Sequence, residues 1–154
     1  MNELPPEKQL DLFFAKYDPE IEKLARAALK KLRALMPGAV QMIYDNYNGL
    51  VIGFCATEKP SEAILSIALY PKWVTLFFLQ GKGIPDPKKL LKGTGAAVRN
   101  LRLEDEKLLK NADVNALLDL AIARSKSPFG PKENGKLVLK SVSERQRPRR
   151  EGVT

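Results

Sequence analysis

Between Ile21 and Leu35 the apolar positions fall three and four residues apart: Ile21, Leu24, Ala25, Ala28, Leu29, Leu32 and Leu35. That spacing places them on one stripe of a helix, with Lys23, Arg26, Lys30, Lys31 and Arg33 covering the other side. Asp18-Pro19 predicts the start, because Asp caps free N–H groups and Pro suits the first helical position. Glu20 and Glu22 fall in the first turn, where the helix dipole favours anions, and Pro37-Gly38 ends the run. A shorter helix is expected over 7–16, with Leu10, Phe13 and Phe14 on one face.

The pattern then changes period. Residues 39–47 (AVQMIYDNY) and 50–56 (LVIGFCA) read as strands joined at Asn48-Gly49, a hairpin signal, with Gly53 marking a bulge or a close approach. Residues 63–70 (AILSIALY) and 73–79 (WVTLFFL) are two more, joined through Pro71 and Lys72. Consecutive strands with short connections predict an antiparallel meander, and their nearly continuous apolar runs predict helices over much of the sheet. Residues 80–97 form a Gly-, Pro- and Lys-rich loop in which Pro87 could open one helical turn through Leu91. A short strand over 98–103, a helix over 104–110 and a last helix capped by Asp113 follow, the last carrying Val114, Leu117, Leu118, Ala121 and Ile122. The expected class is α+β: an antiparallel sheet of about five strands with N-terminal and C-terminal helices packed on it. From Ser125 the apolar pattern fails. Residues 1–125 are read as one α+β domain and 126–154 as a linker with a basic, largely disordered tail. Within the tail, LVLKSVS either pairs as an edge strand or stays mobile, and RQRPRREGVT buries too little to order. Removing residues after Ser143 is therefore expected to leave the thermal midpoint nearly unchanged.

Composition narrows the chemistry more than the fold. A chain of 154 residues suits one domain, and 44% apolar with 29% charged content is ordinary for a soluble protein. No apolar run reaches the roughly 18 residues of a membrane span, and the acidic-polar start MNELPPEKQLDLFF shows no signal peptide, so a cytoplasmic location is expected. Histidine is absent, which removes the commonest general base and metal ligand. The one cysteine, Cys55 in GFCAT, reads as a small core residue. An enzyme is therefore not expected, and neither a cofactor nor a metal is implied. The net charge of +8 invites a nucleic-acid reading, but nine of the 26 Lys and Arg and only three of the 18 Asp and Glu lie from Arg124 onward. The basicity is mostly a property of the tail.

Four groups of residues could carry binding. In the loop Gly81-Lys82-Gly83 to Lys92-Gly93-Thr94-Gly95, glycines allow backbone N–H groups to approach an anion, with Lys82, Lys92 and Arg99 supplying charge. The alternative is a loop that needs positive φ at its glycines. In YDNYN, alternation puts Tyr44 and Asn46 on one face and Asp45 and Tyr47 on the other. Tyr44, Asn46 and Tyr47 could stack on and hydrogen-bond a planar ligand, or simply close the core at a hairpin end. Glu104-Asp105-Glu106 reads as a helix start rather than a metal site. Arg145, Arg147, Arg149 and Arg150 in the tail could bind phosphates without sequence specificity, or serve as a solubilising end.

The segments LRALMPGAVQMIYDNYNGLVIGF, SEAILSIALYPKWVTLFFLQGKGIPDP and LLKGTGAAVRNLRL together resemble the YdhG-like family, known as domain of unknown function eighteen-oh-one. The resemblance covers roughly residues 30–125. The ending GKLVLKSVSERQRPRR resembles tails on a bacterial subset of that family. The resemblance implies an α+β domain with helices on an antiparallel sheet and no established activity. One branch is described as a frataxin-like intracellular iron chaperone, which implies an acidic ridge. Here Lys8, Lys16, Lys23 and Arg26 dilute Glu7, Asp11, Asp18, Glu20 and Glu22. The expected function is a non-catalytic binding module for a small anionic ligand or a protein partner. The alternatives are an iron-handling protein, or a nucleic-acid-associated protein acting weakly through its tail. No membrane partner is expected.

Overall fold

The computed structural model describes residues 4–150. Two helices open the chain, α1 (Pro6–Ala15) and α2 (Pro19–Leu35). The sequence stripe of α2 faces inward: Ala25, Ala28, Leu29 and Leu32 are buried, and Ile21, Leu24 and Leu35 pack half-buried against the same core. Asp18 does sit at the N-cap, but it makes no side-chain cap bond. Its backbone carbonyl accepts from the Glu22 N–H at 2.9 Å, and Pro19 needs no N–H partner.

Four strands follow as the expected meander: β1 (Val40–Asp45), β2 (Leu50–Cys55), β3 (Leu65–Leu69) and β4 (Val74–Phe78), each antiparallel to the next. After the loop, β5 (Arg99–Leu103) returns antiparallel to β4. A 3-10 turn, Glu106–Lys110, leads into α3 (Ala112–Ala123). Asn111, not Asp113, caps α3: its Oδ1 accepts from the N–H groups of Asp113 at 2.8 Å and Val114 at 3.1 Å. Asp113 instead lies in the first turn, where its charge suits the dipole. No helical turn forms at Pro87, because the Asp86 carboxylate takes the N–H groups of Leu90 and Leu91, both at 2.9 Å.

The sheet has six strands rather than about five, in the order β5-β4-β3-β2-β1-β6, and it is mixed rather than purely antiparallel. The sixth, β6 (Lys136–Val142), pairs parallel with β1 along its far edge. It was hard to read because an edge strand covered on one face needs few apolar residues. Only Leu137 and Leu139 turn to the main core, and Val138 joins a small cluster on the other face. The sheet thus extends beyond residue 125, and the segment after it makes contacts up to Arg150. The Ser143 N–H donates to the Asp45 carbonyl at 2.9 Å and the Arg147 N–H to the Tyr47 carbonyl at 2.9 Å, so the chain stays zipped to the β1–β2 hairpin. The end of the tail, 151–154, lies outside the described residues.

One large core holds the inward residues of all six strands together with α1, α2 and α3. On the opposite face Val40, Met42 and Cys55 form a small second cluster, with Tyr44 packed against it. Among the described residues no helix is long and apolar enough to cross a membrane.

Candidate functional site

The sheet register sets two of these groups, the loop leading to Arg99 and the YDNYN hairpin, at opposite ends of the sheet. Asp45 lies opposite Leu50, Leu50 opposite Leu69, Leu69 opposite Val74, and Val74 opposite Leu103, so these residues mark one end of the sheet. Arg99 lies opposite Phe78 and Phe78 opposite Leu65, at the other end. Four interstrand steps also separate β5 from β1, roughly 19 Å at ordinary strand spacing. Tyr44, Asn46 and Tyr47 are therefore remote from Arg99.

The loop itself is held by its own backbone. Arg99 Nη1 donates to the carbonyls of Gly95 and Val98, both at 2.8 Å. Lys92 pairs with Asn100 through both backbone groups, and the Lys82 N–H donates to the Ala97 carbonyl at 2.9 Å. Gly83 and Gly93 have φ of 83° and 110°, a region costly for other residues. At Gly81 a Cβ would lie 2.8 Å from the Arg99 Cβ and 2.9 Å from that of Phe78, so close packing explains that glycine. Lys82, Lys92 and Arg99 line neither the clefts at Trp73 and Arg147 nor those at Glu58 and Arg33.

The hairpin end carries the tail instead. Asp45 is fully buried, and its carboxylate takes Arg149 Nη2 at 3.0 Å and Lys16 Nζ at 2.9 Å. The Arg149 side chain is only 3% exposed, and its Nη groups also donate to the backbone carbonyls of Asn46 and Tyr47. Gln146 Nε2 donates to the Asp45 carbonyl at 3.1 Å. Behind this pair lies Tyr17, whose hydroxyl donates to the Leu69 carbonyl and accepts the Leu50 N–H. Burial pushes its pKa up to about 12, against the pull of Arg149. Of the tail arginines, Arg149 is thus a buried structural cation. Arg150 donates to the carbonyls of Ala15 and Lys16 at the end of α1, Arg147 lies over the Tyr47 ring at 5.4 Å, and Arg145 is exposed. Asn46 accepts the Ser141 hydroxyl at 3.0 Å. Tyr44 donates to the Met42 sulfur on the second apolar cluster.

The same end presents an aromatic shelf that the sequence reading missed. Trp73, at the mouth of β4, is 37% exposed and Tyr47 43%, and both are large rings at tight turns. Tyr70 tilts against Trp73 with ring centroids 6.0 Å apart, and the Arg102 guanidinium lies 4.2 Å from the Trp73 ring. A cleft of about 650 Å³ opens between Asn48, Tyr70, Trp73, Arg147 and Pro148, and Pro71 and Lys72 also line it. A second, of about 430 Å³, shares Arg147 and Pro148 and runs past Lys16 to Arg150. Neither has a carboxylate in its lining. On the other side of Trp73 a third cleft of about 450 Å³ is lined by Glu20, Glu104, Asp105 and Glu106 as well as Lys23, Lys72 and Arg102. There the Asp105 carboxylate takes the Lys107 N–H at 2.8 Å and Glu106 faces Lys23 at 3.7 Å, as a helix start would. The signal that could have located the shelf is YPKW: a tight turn flanked by Tyr70 and Trp73, with Arg102 on the adjacent strand.

Glu7, Asp11 and Glu22 of the first helices are bridged by cations. Arg33 holds Glu7 at 3.0 Å, and Arg26 holds Asp11 at 3.1 Å and Glu22 at 2.8 Å. Among the described residues no group of three or more Cys, Asp or Glu is placed to hold a metal ion. Cys55 is buried, and burial raises its pKa to about 11. No protein-family model, characterised protein or solved structure matches this chain.

Proposed function

We propose that the chain is a non-catalytic binding module for an anionic ligand that carries a flat ring, seated in the cleft between Tyr70, Trp73 and Arg147. The observation that supports it is the exposed Trp73, with Tyr70 on one side and the Arg102 guanidinium over its ring. Large aromatic rings left in solvent beside arginines provide a stacking surface and charge for an oxyanion in one place. The Cys55 thiol is inside the sheet and held protonated at neutral pH, so it offers no accessible nucleophile.

Trp73 is the only tryptophan, so its fluorescence reports the cleft directly. Titration with adenosine and uridine monophosphates should quench or shift it saturably, and Arg147→Ala should weaken the effect. An unchanged emission with both nucleotides would overturn the assignment.

A further inference from the structure

Resting on that reading of the cleft, we infer that the natural ligand is single-stranded nucleic acid, laid from Trp73 across Arg147–Pro148 toward Arg150. Two of the clefts adjoin, because Arg147 and Pro148 line both. Along this path Trp73 and Tyr70 lie at one end, Arg147 lies over Tyr47 in the middle, and Lys16 and Arg150 lie at the other end, where Lys16 is paired with Asp45 and Arg150 is held by the carbonyls of Ala15 and Lys16. That is the pairing a single strand needs, since bases stack on aromatic faces while phosphates follow positive charge. A duplex offers its phosphates but hides its base faces, so it would leave the rings unused.

Charge also fixes the direction. The path from Trp73 to Arg150 has no carboxylate in its lining, whereas the cleft on the far side of Trp73 has four against three cations. A polyanion would therefore stop at Trp73 and continue the other way. Two adjoining clefts suit about four nucleotides, the small end of single-strand sites. The tail contributes through its docked position, with the buried Arg149 tying the strap that carries Arg147 and Pro148 to the hairpin.

The test uses the full chain with labelled uridine octamer, a duplex of equal length, and uridine monophosphate, reading fluorescence anisotropy and Trp73 emission. The octamer should bind at least ten-fold more tightly than the monophosphate and more tightly than the duplex. Trp73→Ala and Tyr70→Ala should each weaken it about ten-fold, the scale of one lost stacked base, in protein whose melting curve shows it folded. Arg147→Ala should reduce the slope of log affinity against log salt by about 0.7. Lys82→Ala, a charge removed at the opposite end of the sheet, should leave affinity unchanged. An octamer no tighter than the monophosphate would overturn the strand path and leave the cleft reading intact. Octamer binding that is indifferent to Trp73→Ala and Tyr70→Ala, or a duplex that binds as well, would also overturn it. No response to any of the three probes would remove the cleft reading as well.

Discussion

Replacing Arg149 by Ala should destabilise the fold strongly, although Arg149 lies in a segment whose composition suggests a dispensable end. The guanidinium is 3% exposed and the Asp45 carboxylate is fully buried, 3.0 Å away. Truncation leaves that carboxylate with Lys16 alone, at 2.9 Å and 40% exposed, and strips a donor from the carbonyls of Asn46 and Tyr47. Removing one partner of a buried ion pair costs about 3–5 kcal/mol, and the remaining lysine argues for the lower end. In a domain of this size each kcal/mol moves the midpoint by about 2–4 °C, so the expected loss is roughly 6–12 °C. Thermal unfolding followed by circular dichroism reads it, with Arg145→Ala as an exposed control expected to move the midpoint little. Deleting residues after Ser143 should cost at least as much as Arg149→Ala. Because Asp45 is then isolated from its buried cation, Asp45→Asn combined with Arg149→Ala should cost less than the two single changes added together. A shift below about two degrees for Arg149→Ala would mean that the tail is undocked in solution.

Three further outcomes follow from buried groups. Leu29→Ala should cost about 2–5 kcal/mol, because Leu29 is buried on the α2 stripe, and urea unfolding measures it. Tyr17 has a folded pKa of about 12 against 10.0 unfolded, so the unfolded state loses its proton first. Its contribution is complete below pH 10 and is lost as pH rises toward 12. Stability should fall there, and Tyr17→Phe should flatten the fall even though it also loses two hydrogen bonds. The Cys55 thiol, buried and with its pKa raised to about 11, should react with a thiol reagent at pH 8 only after denaturant is added.

What could be read from the sequence follows from how each feature is encoded. The α2 stripe and the β1–β4 meander repeat a period over many residues, so burial of one face leaves a dense local signal. β6 carries a weaker signal, since an edge strand packed on one face needs only Leu137 and Leu139 turned toward the main core. Asp45 and Arg149 carry almost none. They are charged residues 104 positions apart, and nothing local says that one polar tail position is buried against the other. In the loop 81–99 the local signal is incomplete for a related reason. Glycines and cations suggest an anion site, but here the local backbone carbonyls already occupy Arg99. Trp73 precedes β4 and Arg102 lies on β5, and only the β4–β5 register brings them together.

The tail joins fold to site through two neighbouring arginines with opposite tasks. Arg147 and Arg149 flank Pro148, whose fixed φ limits how the strap can turn. Arg149 is buried on Asp45, while Arg147 is exposed over Tyr47 and lines both basic clefts. The two substitutions should therefore separate stability from binding. Arg147→Ala should weaken nucleotide and oligonucleotide binding and move the melting midpoint little, because an exposed cation–π contact contributes only about 0.5–1 kcal/mol. Arg149→Ala should lower the midpoint and also weaken binding at temperatures where the protein is still folded, since the strap that presents Arg147 and Pro148 loses its anchor. Paired melting and anisotropy measurements on both variants decide the matter. If Arg149→Ala melts early yet binds at full strength when folded, the strap is a structural clamp only, and the clefts it borders do not depend on it.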